Sequence, residues 1–306
     1  MRVVFFGTPE WAVPSLEALL AGGTDVAAAV TNPDRPSGRG MKLQPSPVKR
    51  AAEAAGVDVL QPSSAKEPEL ASSLRALDPV VAVVVAYGRI LPASLLEIPP
   101  RGFVNVHFSL LPAYRGAAPV QRAVMDGLAE TGVSVMVLTE GMDEGPVLAT
   151  ETTPIGPDET AGDVGERLAG IGARILLPAL TRFVSGELDP VPQDDALASY
   201  APKVTPDDAR LDWNETSAAI ANKVRGLNPA PGAWTLLGSE RVKLWRARPA
   251  GREDLGAGEL LVGDALYAGA GSGSIRVEEA QVAGKQRMSG LEMARGLRLA
   301  PGARFE

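Results

Sequence analysis

The sequence of 306 residues contains no cysteine and a single histidine, His107. Without cysteine the chain forms no disulfide and has no thiolate to serve as a nucleophile or metal ligand. One imidazole also excludes a site built from several histidines, so a metal would need an all-carboxylate site, for which the sequence offers no candidate. We therefore expect no metal site, and imidazole chemistry in this chain can involve only His107.

Long apolar runs are also lacking. The N-terminal run ends at Gly7, which is too short for the core of a signal peptide, and no small-residue cleavage site follows it. No stretch approaches the roughly 18 apolar residues of a membrane span. We expect a cytoplasmic protein that does not cross a membrane.

The charge is unevenly distributed along the chain. The net charge of −7 argues against a simple nucleic-acid binder. Residues 203–306, however, hold 15 Lys and Arg against 13 Asp and Glu, a net charge of +2, whereas residues 1–202 carry −9. The C-terminal part can therefore approach a polyanion that the N-terminal part would repel.

Apolar runs alternate with helical patterns over the first two thirds of the chain. The run at residues 80–86 is apolar throughout, as expected of a strand buried on both faces of a parallel sheet. The pattern predicts an α/β fold, a Rossmann-like mostly parallel sheet with helices on both faces. Strands are expected at 2–6, 26–30, 80–86, 103–107 and 133–138, and helices at 14–20, 46–55, 67–77 and 160–185.

The composition changes near residue 187. Pro and Asp are frequent and little periodicity remains, which predicts a linker over 189–206 between a catalytic domain at 1–188 and a second domain at 207–306. The second domain begins with a helical pattern at 215–226. Closely spaced short strand-like pieces separated by glycines and polar turns then predict a small OB-like β-barrel.

Two polar residues share a face of the strand predicted at 103–107. Asn105 and His107 are two positions apart, so their side chains point the same way at the C-terminal end of the strand, where open α/β sheets bind ligands. An amide can donate to an oxyanion that develops on a carbonyl, and an imidazole can donate to it or move a proton. A lone histidine is more commonly a core residue, but the rigid Pro- and Gly-containing loop that follows, from Ser109 to Pro119, favours an acyl-transfer site.

Asp143 is a candidate third member of this site. It follows the strand predicted at 133–138 and lies between Gly141 and Gly145, a setting that is also common in ordinary turns. The carboxylate could hold the second ring nitrogen of His107, or take a proton from an attacking amine through water. The sequence leaves both roles open.

The motif Asn-x-His-x-Ser-Leu-Leu-Pro-x-Tyr-Arg-Gly, with Asp143 downstream, resembles that of the folate-dependent formyltransferase family. The resemblance implies a Rossmann-like fold, Asn105, His107 and Asp143 as catalytic residues, and 10-formyltetrahydrofolate as a co-substrate. Phe108 departs from the smaller residue that is common at this position in the family. The resemblance also implies a folate site formed by Ser109, Leu110, Leu111, Pro112, Tyr87, Gly88 and Ile90.

A basic loop indicates the acceptor. Residues 31–50 carry five Lys and Arg against one Asp, which suits a phosphate-rich substrate but is equally compatible with a solvated surface loop. The loop and the N-terminal Phe-x-Gly-Thr-Pro are similar to those of family members that formylate initiator methionyl-tRNA. That similarity implies Arg35, Arg39 and Lys42 as tRNA-binding residues.

The second domain further limits the possible acceptors. Members of the family that formylate glycinamide ribonucleotide have a single domain and would end near the linker, whereas residues 209–213 and 225–233 continue the resemblance into the barrel. In the family that barrel contacts tRNA. Seven basic residues fit phosphate contacts there, or else a solvated face: Lys203, Lys223, Arg225, Arg241, Lys243, Arg246 and Arg248.

The resemblance therefore implies transfer of a formyl group from 10-formyltetrahydrofolate to the amino group of methionine on initiator tRNA. No coiled coil or obvious apolar patch indicates a dimer, so we expect a monomer. Two alternatives stay open. One is a formyltransferase that acts on a sugar nucleotide, and the other is a tRNA-binding protein without activity.

Overall fold

The structure is a computed structural model that describes residues 1–37 and 42–306. The strands are β1 (Arg2–Gly7), β2 (Asp25–Val30), β3 (Arg35–Ser37), β4 (Lys42–Gln44), β5 (Val59–Leu60), β6 (Val81–Val85), β7 (Phe103–His107), β8 (Glu130–Val137), β9 (Val147–Pro154), β10 (Ala233–Leu237), β11 (Glu240–Pro249), β12 (Leu260–Val262), β13 (Leu266–Gly269), β14 (Ser274–Val282) and β15 (Met288–Ser289). The helices are α1 (Val13–Ala21), α2 (Pro47–Ala54), α3 (Pro68–Leu77), α4 (Ala93–Leu96), α5 (Pro119–Met125), α6 (Ala161–Ser185), α7 (Ser217–Gly226) and α8 (Gly290–Gly296).

The chain divides into two compact units. The first comprises Met1–Pro119, Thr131–Thr153 and Gly165–Ala201, and the second comprises Val120–Glu130, Pro154–Val164 and Pro202–Glu306. Two short segments that precede residue 165 thus belong to the second unit, a division that no single cut in the sequence could reproduce.

The first unit is built on a seven-stranded sheet with the order β5-β2-β1-β6-β7-β8-β9. The pairs from β5 to β7 are parallel, whereas β7 and β8 are antiparallel. The predicted mostly parallel Rossmann-like sheet is therefore confirmed, with an antiparallel edge that the sequence pattern did not indicate. Because β1, β6 and β7 are parallel, the loops after Gly7, Val85 and His107 emerge at the same edge of the sheet.

Helix α6 packs against this sheet. Gly172 allows the close approach, because a Cβ there would lie 2.7 Å from Cγ1 of Val106. Among the described residues, α6 is the one helix that is long and apolar enough to cross a membrane by length and composition, and 44% of its most apolar stretch is buried. The core helix of a folded unit passes the same test as a span, so α6 by itself is weak evidence of one.

The second unit contains the antiparallel sheet β10-β11-β14-β13-β12, with β15 paired to β14. Its two edges approach each other through the chain end: Phe305 forms a bridge with Leu237 at the end of β10, and Arg304 forms one with Glu259 just before β12. The arrangement is consistent with the predicted OB-like barrel. Its core includes Trp213, stacked on Phe305 at 5.2 Å between ring centroids.

The segment predicted as a linker is held by specific contacts over much of its length. Val191 pairs with Val147, and Tyr200 forms a bridge with Arg115, so residues up to Ala201 belong to the first unit. The absence of periodicity over 187–201 therefore reflects irregular backbone that is bonded to distant parts of the chain. Local sequence patterns do not reveal such bonding.

Candidate active site

Strand β7 ends in the two polar residues that the sequence singled out. Asn105 pairs with Met136 and His107 with Ser134 in the antiparallel β7–β8 ladder. Both side chains are almost buried, at 8% and 6% exposure, while Val104 and Val106 are buried on the opposite face. The alternation of the strand thus places an amide and an imidazole side by side at the sheet edge.

The Asn105 amide is not used to hold the fold. Within residues 1–37 and 42–306 its side chain makes no hydrogen bond. Its polar atoms are not among the fully buried unpaired atoms of the described residues, which are Ser15 Oγ, Asn32 Oδ1 and Tyr87 OH, so the amide still reaches the surface of the strand end. An unpaired amide next to a histidine is therefore available to a bound ligand.

The His107 ring is held from both sides. Its Nε2 lies 2.9 Å from the carbonyl oxygen of Tyr114, and because a carbonyl only accepts, Nε2 carries a proton. Its Nδ1 lies 3.6 Å from Oδ2 of Asp143, which is the distance of a charge pair rather than of a hydrogen bond. The carbonyl on one side of the ring and the carboxylate on the other fix its orientation.

Asp143 is fixed by the loop that follows β7. Its carboxylate Oδ2 accepts a hydrogen bond of 2.8 Å from the backbone N–H of Gly116, and its side chain is 17% exposed. Asp143 itself has a φ of +53°, a left-handed conformation that costs an L-residue about 1 kcal/mol or more. The structure therefore brings Asn105, His107 and Asp143 together, as the sequence predicted.

The loop predicted to border the folate site is rigidly attached to the sheet. Ser134 Oγ on β8 donates to the carbonyl oxygen of Ser109 at 2.8 Å and accepts from the N–H of Leu111 at 3.0 Å. Ser109 Oγ donates to the carbonyl oxygen of Ala113. Leu110, Leu111 and Pro112 are partly exposed between these anchors and can contact a ligand.

The residues of the second segment predicted to bind folate, Tyr87, Gly88 and Ile90, differ in their exposure. The Tyr87 ring is buried edge-on against Phe6, so only backbone is available at that position, and burial raises the pKa of its phenol. The Tyr87 carbonyl oxygen accepts from the Asn32 amide at 2.8 Å. Gly88 is exposed with a φ of +76°, and Ile90 is an apolar side chain at 80% exposure. The Ile90 side chain is therefore accessible to a ligand, although single exposed apolar residues are also common on protein surfaces.

The basic loop has less free charge than its sequence suggests. Lys49 forms an ion pair of 2.8 Å with Asp34, and the hydrogen bonds that Asp34 accepts from Lys49 and Gln61 lower its pKa. Arg50 lies 3.7 Å from Glu10. Arg35 is exposed on β3, which pairs with β4 in a hairpin, whereas the predictions for Arg39 and for the Lys42 side chain lie outside the described residues.

The seven basic candidates of the second unit also separate into groups. Arg225 is turned inward, where its guanidinium donates to the carbonyl oxygens of Gly156 and Glu159 and burial lowers its pKa. Arg248 pairs with Asp158 and Glu278, and Lys223 lies 3.9 Å from Glu215. Four exposed or partly exposed candidates have no acidic partner among the described residues, namely Lys203, Arg241, Lys243 and Arg246.

Sequence reasoning missed several residues that position the site. They are the Tyr114 carbonyl, the Gly116 N–H, the Ser134 hydroxyl, and the pair Arg115 and Gln193. The Tyr-Arg-Gly triplet is part of the motif, but the identity of a residue does not show which backbone groups donate or accept hydrogen bonds. Gln193 lay within the predicted linker, where nothing local indicated a role.

Comparison with known proteins agrees with this geometry. Residues 1–180 match the family described as formyl transferase, and residues 203–298 match its C-terminal domain. The methionyl-tRNA formyltransferase of Streptomyces coelicolor (strain ATCC BAA-471 / A3(2) / M145) is 46% identical, with 99% of this chain and 99% of that protein covered. The methionyl-tRNA formyltransferase of Methylobacterium sp. (strain 4-46) is 47% identical, with 100% and 99% covered.

A solved structure supports the fold. WlaRD, a sugar 3N-formyl transferase whose crystal structure was determined in the presence of dTDP and 5-N-formyl-THF, aligns with a TM-score of 0.68. The alignment covers 94% of this chain and 99% of that chain at 17% identity. At this identity the likeness concerns the fold alone.

Proposed function

The chain belongs to the methionyl-tRNA formyltransferase family, and from that premise we propose that it transfers the formyl group of 10-formyltetrahydrofolate to the amino group of methionine on initiator tRNA. The amine nitrogen attacks the formyl carbon to give a tetrahedral intermediate that bears an oxyanion. The bond between the formyl carbon and N10 of the folate then breaks. The amine loses a proton and N10 gains one, so that formylmethionyl-tRNA and tetrahydrofolate leave.

Asn105 and His107 stabilise the oxyanion in this proposal. The observation that carries it is the unpaired, almost buried amide of Asn105 beside an imidazole on the same face of β7. Donors fixed before the reaction need no rearrangement as charge develops, and removal of one such donor costs on the order of 100–1000-fold in rate.

Asp143 acts on the opposite side of the ring. Its carboxylate lies 3.6 Å from Nδ1 of His107, which supports a role in orienting the ring. The same carboxylate can accept the proton that the attacking amine loses, through a water molecule. Both functions require the ionised carboxylate.

The substrates are recognised by different parts of the chain in this proposal. The folate lies against Ser109–Pro112 and against the loop that contains Tyr87, Gly88 and Ile90, where the exposed side chain of Ile90 covers an apolar part of the ligand. Arg35, Arg39 and Lys42 contact tRNA phosphates, together with free cations of the C-terminal barrel. The enzyme works as a cytoplasmic monomer and uses folate as a substrate that leaves after each turnover.

The test is a comparison of acceptors. Purified protein is incubated with 10-formyltetrahydrofolate labelled in the formyl group and with charged initiator tRNA, charged elongator methionyl-tRNA, glycinamide ribonucleotide or an amino-sugar nucleotide. We expect label on the methionine of the initiator tRNA and much less on the elongator tRNA. Label on the sugar nucleotide alone would establish the alternative transferase, and no label on any acceptor would contradict formyl transfer.

A further inference from the structure

Gln193 bridges two segments that surround the His107 ring. Its side-chain Nε2 donates two hydrogen bonds, to the carbonyl oxygen of Asp143 at 2.8 Å and to that of Gly145 at 2.7 Å. Its Oε1 accepts from Nε and Nη2 of Arg115 at 3.0 and 2.8 Å. All hydrogen-bonding capacity of this one amide is thus directed at residues on either side of the predicted site.

Arg115 is the fixed end of this bridge. It is only 3% exposed, its N–H donates to the carbonyl oxygen of Ser199, and its own carbonyl oxygen accepts from the N–H of Ala201. Its guanidinium also contacts Asp195 at 2.7 Å. A buried guanidinium costs several kcal/mol unless it is paired, so its partners hold it in one position.

The contacts close a ring around Asp143. The carboxylate of Asp143 accepts a hydrogen bond from the N–H of Gly116. The carbonyl oxygen of Asp143 accepts from the side chain of Gln193, which in turn accepts from Arg115, the residue before Gly116. The carboxylate and the backbone carbonyl of Asp143 are therefore both held by the segment 114–116, which also supplies the Tyr114 carbonyl at Nε2 of His107. Because Asp143 has a left-handed backbone, external hydrogen bonds are needed to keep it there.

We propose that Gln193 is a positioning residue that holds the Asp143 carboxylate at Nδ1 of His107 by fixing the turn at residues 143–145 to Arg115. This inference rests on the proposed function, since it assumes that Asp143 serves formyl transfer. Gln193 touches no reacting atom. Loosening the turn moves a charge relative to the imidazole, and a displacement of about 1 Å at a catalytic group can cost on the order of 100-fold in rate.

Gln193→Glu separates the two halves of the bridge. The carboxylate has the same shape and still accepts from Arg115, with which it forms an ion pair, but it can no longer donate to the carbonyl oxygens of Asp143 and Gly145. We expect kcat to fall about 10- to 100-fold while KM for both substrates stays within about twofold, the pattern of an interaction that matters only in the transition state. Gln193→Met, which removes both halves, should lower kcat at least as much.

A second readout requires no substrate. His107 is the only histidine, so protein labelled with ¹⁵N-histidine gives the two ring nitrogens of this residue alone. In Gln193→Glu we expect the Nδ1 resonance, which faces Asp143, to shift more than the Nε2 resonance, which faces Tyr114. A merely structural role for Gln193 would lower the melting temperature and leave both resonances in place.

Gln281→Glu is the matched control. Gln281 is also a bridging amide, since its Nε2 donates to the carbonyl oxygen of Lys285 and its Oε1 accepts from Trp245, all within the second unit. It should keep the wild-type kcat and imidazole spectrum. Wild-type kcat and unchanged ring resonances in Gln193→Glu would overturn the proposal, and so would a loss of kcat confined to Gln193→Met, because Arg115 alone would then matter. Failure of the wild-type protein to formylate any acceptor would instead refute the proposed function, and the ring resonances would still test the bridge.

Discussion

The polar side chains at the end of β7 in the first unit differ from the buried polar side chains of the second unit. In the second unit Thr160, Asn228, Thr235 and Ser274 are buried, and each has a hydrogen bond that ties together parts of that unit. In the first unit Asn105 is buried without a partner among the described residues, and His107 faces Asp143 at the distance of a charge pair. An amide without a protein partner beside an imidazole and a carboxylate at a strand end is free to bind a ligand, and such groupings are typical of functional sites.

Exposed arginines of the second unit are stacked on aromatic rings. In the second unit Arg241 lies 3.7 Å from the centre of the Trp234 ring, and Arg287 lies 3.6 Å from that of Trp245. A guanidinium stacked on an indole keeps its charge and its donors accessible. We therefore expect the first unit to carry out the chemistry and the second unit to attract a polyanion.

The largest expected effect is in the first unit. His107→Asn removes the imidazole and its pairing with Asp143, and we expect kcat for formyl transfer to fall on the order of 100–1000-fold. KM for tRNA should stay within about twofold, because the ring contributes chemistry and not phosphate binding. Steady-state kinetics with charged initiator tRNA measure both constants. A rise in KM at unchanged kcat would reverse the assignment of the units.

Removal of the Asp208 carboxylate in the second unit should lower the stability of the fold and leave catalysis intact. The pKa of Asp208 is lowered from its ordinary 3.8 to about 2 by the hydrogen bond from the Thr205 N–H and by the Arg122 guanidinium. A lowered pKa stabilises the fold above the ordinary value, and that contribution is lost as the pH falls through about 2. Asp208→Asn should therefore reduce the free energy of unfolding by about 1–2 kcal/mol at pH 7.

Denaturant unfolding at two pH values measures this loss. The difference between Asp208→Asn and wild type should shrink to roughly half at pH 3, since the wild-type carboxylate has by then lost part of its advantage. The exposed neighbour Asp207 offers a control in Asp207→Asn, for which little change is expected. A difference that is independent of pH would show that the ion pair with Arg122 is not its source.

The smallest effect concerns the exposed cations. Arg241→Ala should raise KM for tRNA several-fold, leave kcat unchanged, and reduce the slope of log affinity against log salt by about one. Arg252→Ala is the matched control, because Arg252 also lies over an aromatic ring, that of Tyr267, but is paired with Asp254. Equal effects of the two variants would mean that stacking in the barrel, and not free charge, determines tRNA binding.

Much of the fold was readable from periodicity. The apolar run of β6 predicted a buried parallel strand, and the helical pattern at 160–185 matches α6 almost to the residue. Strand β9 was missed because only part of it is apolar, and the hairpin of β3 and β4 because its strands are three residues long. Short or half-exposed strands depend on pairing with distant residues, which local patterns do not contain.

The site was predictable where it depends on side-chain identity on a regular element. Asn105 and His107 could be placed because the alternation of a strand determines their common face. The left-handed backbone of Asp143, the Tyr114 carbonyl and the bridge through Gln193 could not, since they depend on irregular backbone and on contacts between residues some 50 positions apart, such as that of Gln193 with Asp143. The basic loop was overcounted for the same reason, because the pairing of Lys49 with Asp34 occurs only in the folded chain.

The central claim is that the unpaired Asn105 amide stabilises the oxyanion of formyl transfer. The most direct test is a rapid-quench single turnover of Asn105→Ala, with enzyme in excess over labelled 10-formyltetrahydrofolate and charged initiator tRNA at saturation. We predict that the rate of the chemical step falls about 100-fold or more while the affinity for both substrates is preserved. A single-turnover rate equal to that of the wild type would contradict the account.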